Sequence, residues 1–294
     1  MGYILILLFV FANVVKGACS KKISARVRTM GENVNVSIAR SFVCLPVSLL
    51  LLCMGGQALA VSPPAAAVCA LAGICMALNY AVWLAALDRG AYVLVSASNN
   101  AGFLVATVAG ALFFGERITL WRALALLCIL AALFFMLRFQ VKGIGKAPTR
   151  TDLLLLLTVF LSQGLSMTTQ KWFLLIAPHA SSAVYTFYTF LFSCLALLLV
   201  RPFFRAEKSG VQQVKSLGSL TPYVLLIGTA LFFATFFQAR AAYYLDAVVL
   251  YPLSSALSLT GGALMAWIVF HEKPSRDAAV GMLLVFLALV LSKY

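Results

Sequence analysis

The chain has 294 residues, of which 63% are hydrophobic and only 10% charged, with a formal net charge of +14. Soluble domains carry about 25% charged residues, so this composition excludes a water-soluble fold. The bases are sorted into the links between apolar runs, as membrane insertion demands, which sets nucleic acid aside as a partner.

A bilayer-spanning helix needs about 20 mostly apolar residues. Such runs occur at roughly 3–18, 37–54, 65–87, 92–114, 120–138, 152–172, 181–201, 221–244, 247–270 and 277–293. Backbone groups in hydrocarbon must satisfy one another within the segment, so each run is expected to be a helix. The first run imitates a secretory or lipoprotein signal ending at Cys19. Its start, MGYIL, lacks a basic region, and Lys16 stands where a lipoprotein signal has an aliphatic residue. It reads as the first spanning helix. Helix 1 carries Asn13. Helix 2 opens on IARSF, with Arg40 one turn in, where its side chain can snorkel to the interface. Helix 3 carries Asn79, Tyr80 and Trp83, and helix 4 carries SASNN, with Ser96, Ser98, Asn99 and Asn100.

Glu116 and Glu272 fall in the short turns before helices 5 and 10, followed by Thr119 and Ser275 as N-caps; both glutamates read as turn residues. Helix 6 offers Gln163, Ser166 and Gln170. Helix 8 ends in FFQARAAYYLD, which holds Gln238 and Arg240. Arg240 either pairs with Asp246 or meets an anionic group of a substrate. Helix 9 carries YPLSSALSLT, with Tyr251, Ser254, Ser255, Ser258 and Thr260, and its Pro252 frees a backbone carbonyl.

Polar side chains inside spanning helices are costly, so they face protein, water or a ligand. The candidate substrate contacts are Asn13, Asn79, Tyr80, Trp83, Ser96, Asn99, Gln163, Ser166, Gln238, Arg240, Tyr251 and Ser255. For each hydroxyl the competing reading is an interhelical hydrogen bond, and for the aromatics it is packing. The seven cysteines lie in or beside apolar runs and read as small packing residues. All eight acidic residues fall in loops or at helix ends. An exchanger of protons for cationic drugs normally needs an embedded carboxylate, so multidrug export is weakened. His179 and His271 lie in links, and no metal cluster or Ser/His/Asp set can be assembled at membrane depth. Neither an enzyme nor a cofactor is expected.

Sliding the chain on itself by 156 positions aligns helices 4 and 5 with 9 and 10. Leu94 falls on Leu250, Ser98 on Ser254, Phe114 on Phe270 and Glu116 on Glu272. Gly102, Ala106 and Gly110 fall on Ser258, Gly262 and Ala266, a small-xxx-small stripe in each copy that lets helix backbones approach closely. At an offset of 150, Asn13 and Lys21 fall on Gln163 and Lys171. The repeat unit is therefore five helices, spanning 1–140 and 150–294. An odd number of crossings makes the second unit enter the membrane from the opposite side. Loop charges agree: Lys21, Lys22, Arg26 and Arg28 fill link 1–2, whose counterpart has only Lys171 at its edge. Link 2–3 has no base, whereas link 7–8 holds Arg205, Lys208 and Lys215.

Ten helices in two inverted five-helix halves, each with an apolar–Gly/His–Glu–base–apolar signature, resemble the drug/metabolite transporter superfamily, EamA-type branch. The arginine–aromatic opening of helix 2 at Arg40 is similar to that family's. The resemblance implies a central cavity lined by helices 1, 3, 4, 6, 8 and 9, alternating access, and termini in the cytoplasm. The charge distribution instead places both termini outside, with Arg89, Arg138, Lys142, Lys146 and Arg150 on the cytoplasmic side. The expectation is a multi-pass plasma-membrane transporter of a small polar organic metabolite, neutral, zwitterionic or anionic. The alternatives are a multidrug exporter and a non-transporting subunit assisting a lipid-modifying enzyme.

Overall fold

The computed structural model describes residues 1–24, 30–56, 59–89, 98–116, 119–141, 150–204, 212–270 and 276–291. It is all helical, with no strand among the described residues. The helices are α1 (Gly2–Ser24), α2 (Met30–Met54), α3 (Pro63–Arg89), α4 (Phe103–Phe113), α5 (Leu120–Val141), α6 (Arg150–Ile176), α7 (Ser182–Val200), α8 (Gln212–Ala241), α9 (Ala247–Phe270) and α10 (Arg276–Leu291). A helical turn at 98–101 leads into α4. By length and composition, α1, α2, α3, α6, α7 and α8 are able to cross a membrane, and the apolar stretches in α4, α5, α9 and α10 are shorter. This is an all-α integral membrane protein.

The spans agree with the hydropathy reading within a few residues except at three ends: α1 runs on to Ser24 rather than 18, α2 begins at Met30 rather than 37, and α8 begins at Gln212 rather than 221. The extra turns of α2 are polar in sequence yet buried, with Asn33, Val34 and Ser37 all inside. Asn33 Nδ2 donates to the Tyr80 carbonyl of α3 at 3.1 Å, so the polar turns are satisfied by protein. Arg40 consequently lies well inside the helix, not one turn from its start.

Most helix contacts have a counterpart when the two halves are exchanged, the exceptions being those of α9 with α5, α6 and α10. α1 runs along α8 as α6 runs along α3; α3 packs on α7 as α8 packs on α2. The pairs α1/α9 and α6/α4, and α2/α3 and α7/α8, also correspond, while α2/α7, α4/α9 and α5/α10 meet their own counterparts. These contacts describe two inverted five-helix repeats. The order α8–α1–α9–α4–α6–α3 forms an inner ring whose ends are joined through α2 and α7, with α5 and α10 outside it.

The closest backbone approach joins the halves where the turn before α4 meets α6. A Cβ on Gly164 would lie 2.5 Å from Val105 Cβ and 2.6 Å from the Gly102 carbonyl oxygen, and one on Gly102 would lie 3.0 Å from Gly164 N. Only glycine fits both positions. The expected small-residue stripe thus packs on α4, where Gly102, Ala106 and Gly110 are buried. It does not on α9. Gly262 is exposed, with open space at its Cβ position. Gly261, one residue earlier, is the close contact: a Cβ there would lie 2.7 Å from Val14 Cγ2. The repeat aligned the right helices, but α9 is turned so that its neighbouring residue meets α1. Gly164→Ala is therefore expected to cost on the order of 1–3 kcal/mol, as overpacking does. Gly262→Leu should stay within about 0.5 kcal/mol of the parent. Thermal unfolding in detergent checks both.

Candidate functional site

At the end of the bundle carrying the α4–α5, α6–α7 and α8–α9 links, one ion pair gathers four helix ends. Glu116, just beyond α4, accepts hydrogen bonds from the backbone N–H groups of Ala247 and Val248, each at 2.9 Å. It thereby caps the N-terminus of α9, where the helix dipole favours an anion. Lys171 of α6 donates to the carbonyls of Ala242 and Leu245 at 3.2 and 3.0 Å, just past the C-terminus of α8, where the dipole favours a cation. Lys171 Nζ and Glu116 Oε1 are 3.5 Å apart, with side chains only 12% and 6% exposed. Glu116 is a turn residue, as its sequence suggests, and it is also the anionic half of a buried clamp. Glu272, Ser275 and His271 lie outside the described residues.

Deeper in, the polar side chains fall into two networks. Asn79 Nδ2 donates to Asn99 Oδ1 at 3.0 Å, to the Val159 carbonyl at 3.3 Å and to Ser162 Oγ at 3.3 Å. This ties α3 to the turn before α4 and to α6. Gln170 Nε2 donates to Gln238 Oε1 at 3.2 Å, and Gln238 Nε2 donates to Ser254 Oγ at 3.1 Å, joining α6, α8 and α9. Beside it are buried polar atoms with no hydrogen-bond partner: Gln170 Oε1, Tyr251 Oη, Ser255 Oγ and Ser258 Oγ. The last three recur at helical spacing on one face of α9.

Of the residues singled out from sequence, Asn79, Asn99 and Gln238 are held by these networks, and Tyr251 and Ser255 are buried with unpaired hydroxyls. Ser166 is buried, and its carbonyl accepts from Thr169 Oγ1 at 2.7 Å. Asn13 and Gln163 are half-buried on α1 and α6. Tyr80 lies beneath the Arg40 guanidinium, 3.8 Å from the ring centroid. Trp83 is half-buried, and Ser96 lies outside the described residues. Arg240 is a correction. It is exposed, and Asp246 pairs instead with Arg122 of α5 at 2.8 Å. Helix α8 ends at Ala241, so Arg240 stands on its solvent side while the following turn carries Asp246 toward α5. Pro252 sits in α9 beside Ala125, Leu126 and Ile129 of α5, a packed position on the outer side of the ring. Lys16, Arg40 and Lys171 matter more in the structure than in the sequence reading. The signal available for them was a base within an apolar run with no acidic residue at helical spacing.

A helical membrane protein whose two inverted halves meet around polar side chains is, by class, a transporter of the inverted-repeat kind. The EamA-like transporter family matches residues 1–138 and 150–294, and the chain belongs to that family, a branch of the drug/metabolite transporter superfamily. Among solved structures, one crystal structure of a protein superposes with a TM-score of 0.79 at 15% identity, covering 99% of this chain and 95% of its own; that likeness shows the fold. No curated protein matches significantly.

Removing one partner of a buried ion pair leaves the other charge uncompensated, at about 3–5 kcal/mol. Glu116→Gln and Lys171→Met are each expected to lower stability by that order, and the double variant by less than the sum. Asn79→Leu should cost about 1–3 kcal/mol by stranding Asn99 and Ser162. Melting temperatures of the purified variants, compared through a double-mutant cycle, check these values.

Proposed function

We propose that the chain is a secondary transporter that moves a small polar organic metabolite across the plasma membrane by alternating access between its two halves. The observation that carries this reading is the row of unpaired buried hydroxyls on α9, Tyr251, Ser255 and Ser258, beside the free Gln170 Oε1. A buried polar group without a partner costs several kcal/mol, so a fold that keeps such a row between its halves holds it for a ligand that supplies the missing bonds. Membership of a transporter family points the same way.

In alternating access the Glu116–Lys171 clamp closes one end of the bundle and parts when that end opens. Both residue types recur in the repeat, as Lys21 and Glu272. The clamp also bears on multidrug export. Glu116, buried though it is, is neutralised by Lys171 and two backbone N–H groups, and so is a poor seat for a cationic drug. By the loop charges the clamp end faces outward and both termini lie outside. Labelling single cysteines at Ser24, Lys146 and Gly210 on a cysteine-free background is expected to find all three on the cytoplasmic side. Ser24 and Gly210 reacting from opposite sides would contradict the inverted arrangement.

Transport itself is tested by exchange in proteoliposomes preloaded with mixed amino and organic acids and offered each in labelled form. Exchange above protein-free vesicles is the expected result, and its absence with every solute favours a non-transporting subunit. Ser255→Ala removes a buried hydroxyl that bonds to nothing in the protein, and Tyr251→Phe removes one that lies beside the Lys171 backbone. They are expected to keep or slightly raise the melting temperature, by the equivalent of about 1 kcal/mol, while slowing exchange about tenfold. A fall in stability with unchanged exchange would make both hydroxyls structural.

A further inference from the structure

Three side chains outside those networks lie toward the end of the bundle opposite the clamp. Arg40 is about 15 Å along α2 from Met30, Lys16 about 12 Å from the Ser24 end of α1, and Tyr80 about 14 Å from the Arg89 end of α3, at 1.5 Å per residue. All three helices end on the side opposite the clamp.

Arg40 does not snorkel. Its guanidinium lies over the Tyr80 ring at 3.8 Å, and Nη2 donates to Ser37 Oγ at 3.1 Å. Ser37 donates to Asn33 Oδ1 at 3.4 Å, and Asn33 donates to the Tyr80 carbonyl at 3.1 Å. This chain, with Asn33 and Ser37 buried, fixes the guanidinium between α2 and α3. Its Nε is buried and has no partner. Lys16 lies within electrostatic reach of Arg40. Among the described residues no carboxylate pairs with either cation: Glu116 is taken by Lys171 and Asp246 by Arg122. A buried cation anchored by a relay and left without a counter-ion makes a poor packing arrangement. It makes a good anion receptor, because a guanidinium offers a fork of parallel donors to a carboxylate or phosphate.

The geometry points to an anion subsite formed by Lys16, Arg40 and Tyr80, which receives the carboxylate or phosphate group of a small organic solute. Asn13, one turn before Lys16 on α1, is half-buried and shares its face of the helix, so the uncharged part of that solute meets an amide. The subsite deepens the transporter reading by narrowing the cargo to anionic or zwitterionic metabolites, and it rests on that reading only for its physiological use.

The test uses the full chain purified in neutral detergent, with succinate and glycerol 3-phosphate as anionic probes. Glycerol and ethanolamine are the neutral and cationic controls, all at constant ionic strength. A ligand bound to the folded state raises the melting temperature with its concentration, so the anions are expected to stabilise the protein and the controls not. In Lys16→Met the concentration giving a half-maximal shift should rise about tenfold, the equivalent of one charge-assisted hydrogen bond, and Lys16→Arg should restore it. Arg40→Lys keeps the charge but loses the fork and the stack on Tyr80; it should weaken both probes, each shift being read against the variant's own melting temperature without ligand. Equal stabilisation by glycerol or ethanolamine, or unchanged anion affinity in Lys16→Met and Arg40→Lys, would overturn the subsite. So would stabilisation only by phosphatidylglycerol in nanodiscs that succinate fails to displace, since the site would then hold a lipid headgroup. The outcomes separate from those of transport. Intact anion binding without exchange in proteoliposomes removes the transporter reading and keeps the subsite, and exchange of neutral solutes that anions leave unaffected does the reverse.

Discussion

Hydrocarbon offers no hydrogen bonds, so every polar group taken into the bilayer must find its partner inside the protein or wait for a ligand. Most of what distinguishes this structure from ten generic helices follows from that constraint. Asn79 reaches Asn99, Val159 and Ser162, and Gln170 reaches Gln238 and through it Ser254. The first network joins α3 and the turn before α4 to α6 of the other half and so fixes how the halves meet, whereas the second ties α6, α8 and α9 together within one half. The most demanding case is Glu116, whose charge is compensated by the N-terminal N–H groups of α9 and by Lys171. Lys171 is in turn placed on the carbonyls that α8 leaves free at its C-terminus. The pair lies where two helix dipoles present opposite ends, which is why a buried ion pair is tolerable there.

The same constraint separates structural from ligand-facing residues. Groups whose bonds are complete hold the bundle, whereas groups left incomplete are available. Besides Ser41, Thr107, Ser182, Thr189 and Ser193, whose hydroxyls also lack partners, the incomplete groups include two sets: the hydroxyl face of α9 with Gln170, and Arg40 over Tyr80 with Lys16. One is neutral and the other cationic, and they lie toward opposite ends of an assembly most of whose helix contacts recur when its halves are exchanged. The repeat therefore supplies symmetric scaffolding on which the polar chemistry differs between halves.

Close packing sets the remaining geometry. Helices in lipid gain nothing from burying apolar surface, so they associate where small residues let backbones touch. Gly102 and Gly164 do this between α4 and α6, and Gly261 does it against Val14 of α1. These contacts hold the inner ring at the positions from which the two polar sets face one another's halves.

Much of the architecture was legible in the chain itself. Hydropathy runs located the helices because a bilayer imposes a length on any apolar segment, and the offset repeat with its exchanged loop charges revealed the inversion because an odd number of crossings has no other outcome. Candidate polar residues were legible too, since a costly side chain within a span announces itself. What they do was not. Asn79 and Gln238 look in sequence like Asn13 and Gln163, and only the fold decides that the first two meet partners at 3.0–3.2 Å. Arg240 and Arg40 look alike as well. The turn after α8 sends Asp246 to Arg122 and leaves Arg240 exposed, while the early start of α2 places Arg40 well inside the helix, over Tyr80. The stripe containing Gly262 was visible as a pattern, but the rotation of α9 about its axis, set by the caps and contacts at both its ends, put Gly261 in the interface instead. Apolar periodicity determines that a helix crosses the membrane. Which side chain it presents to which neighbour is decided by packing between segments far apart in the chain.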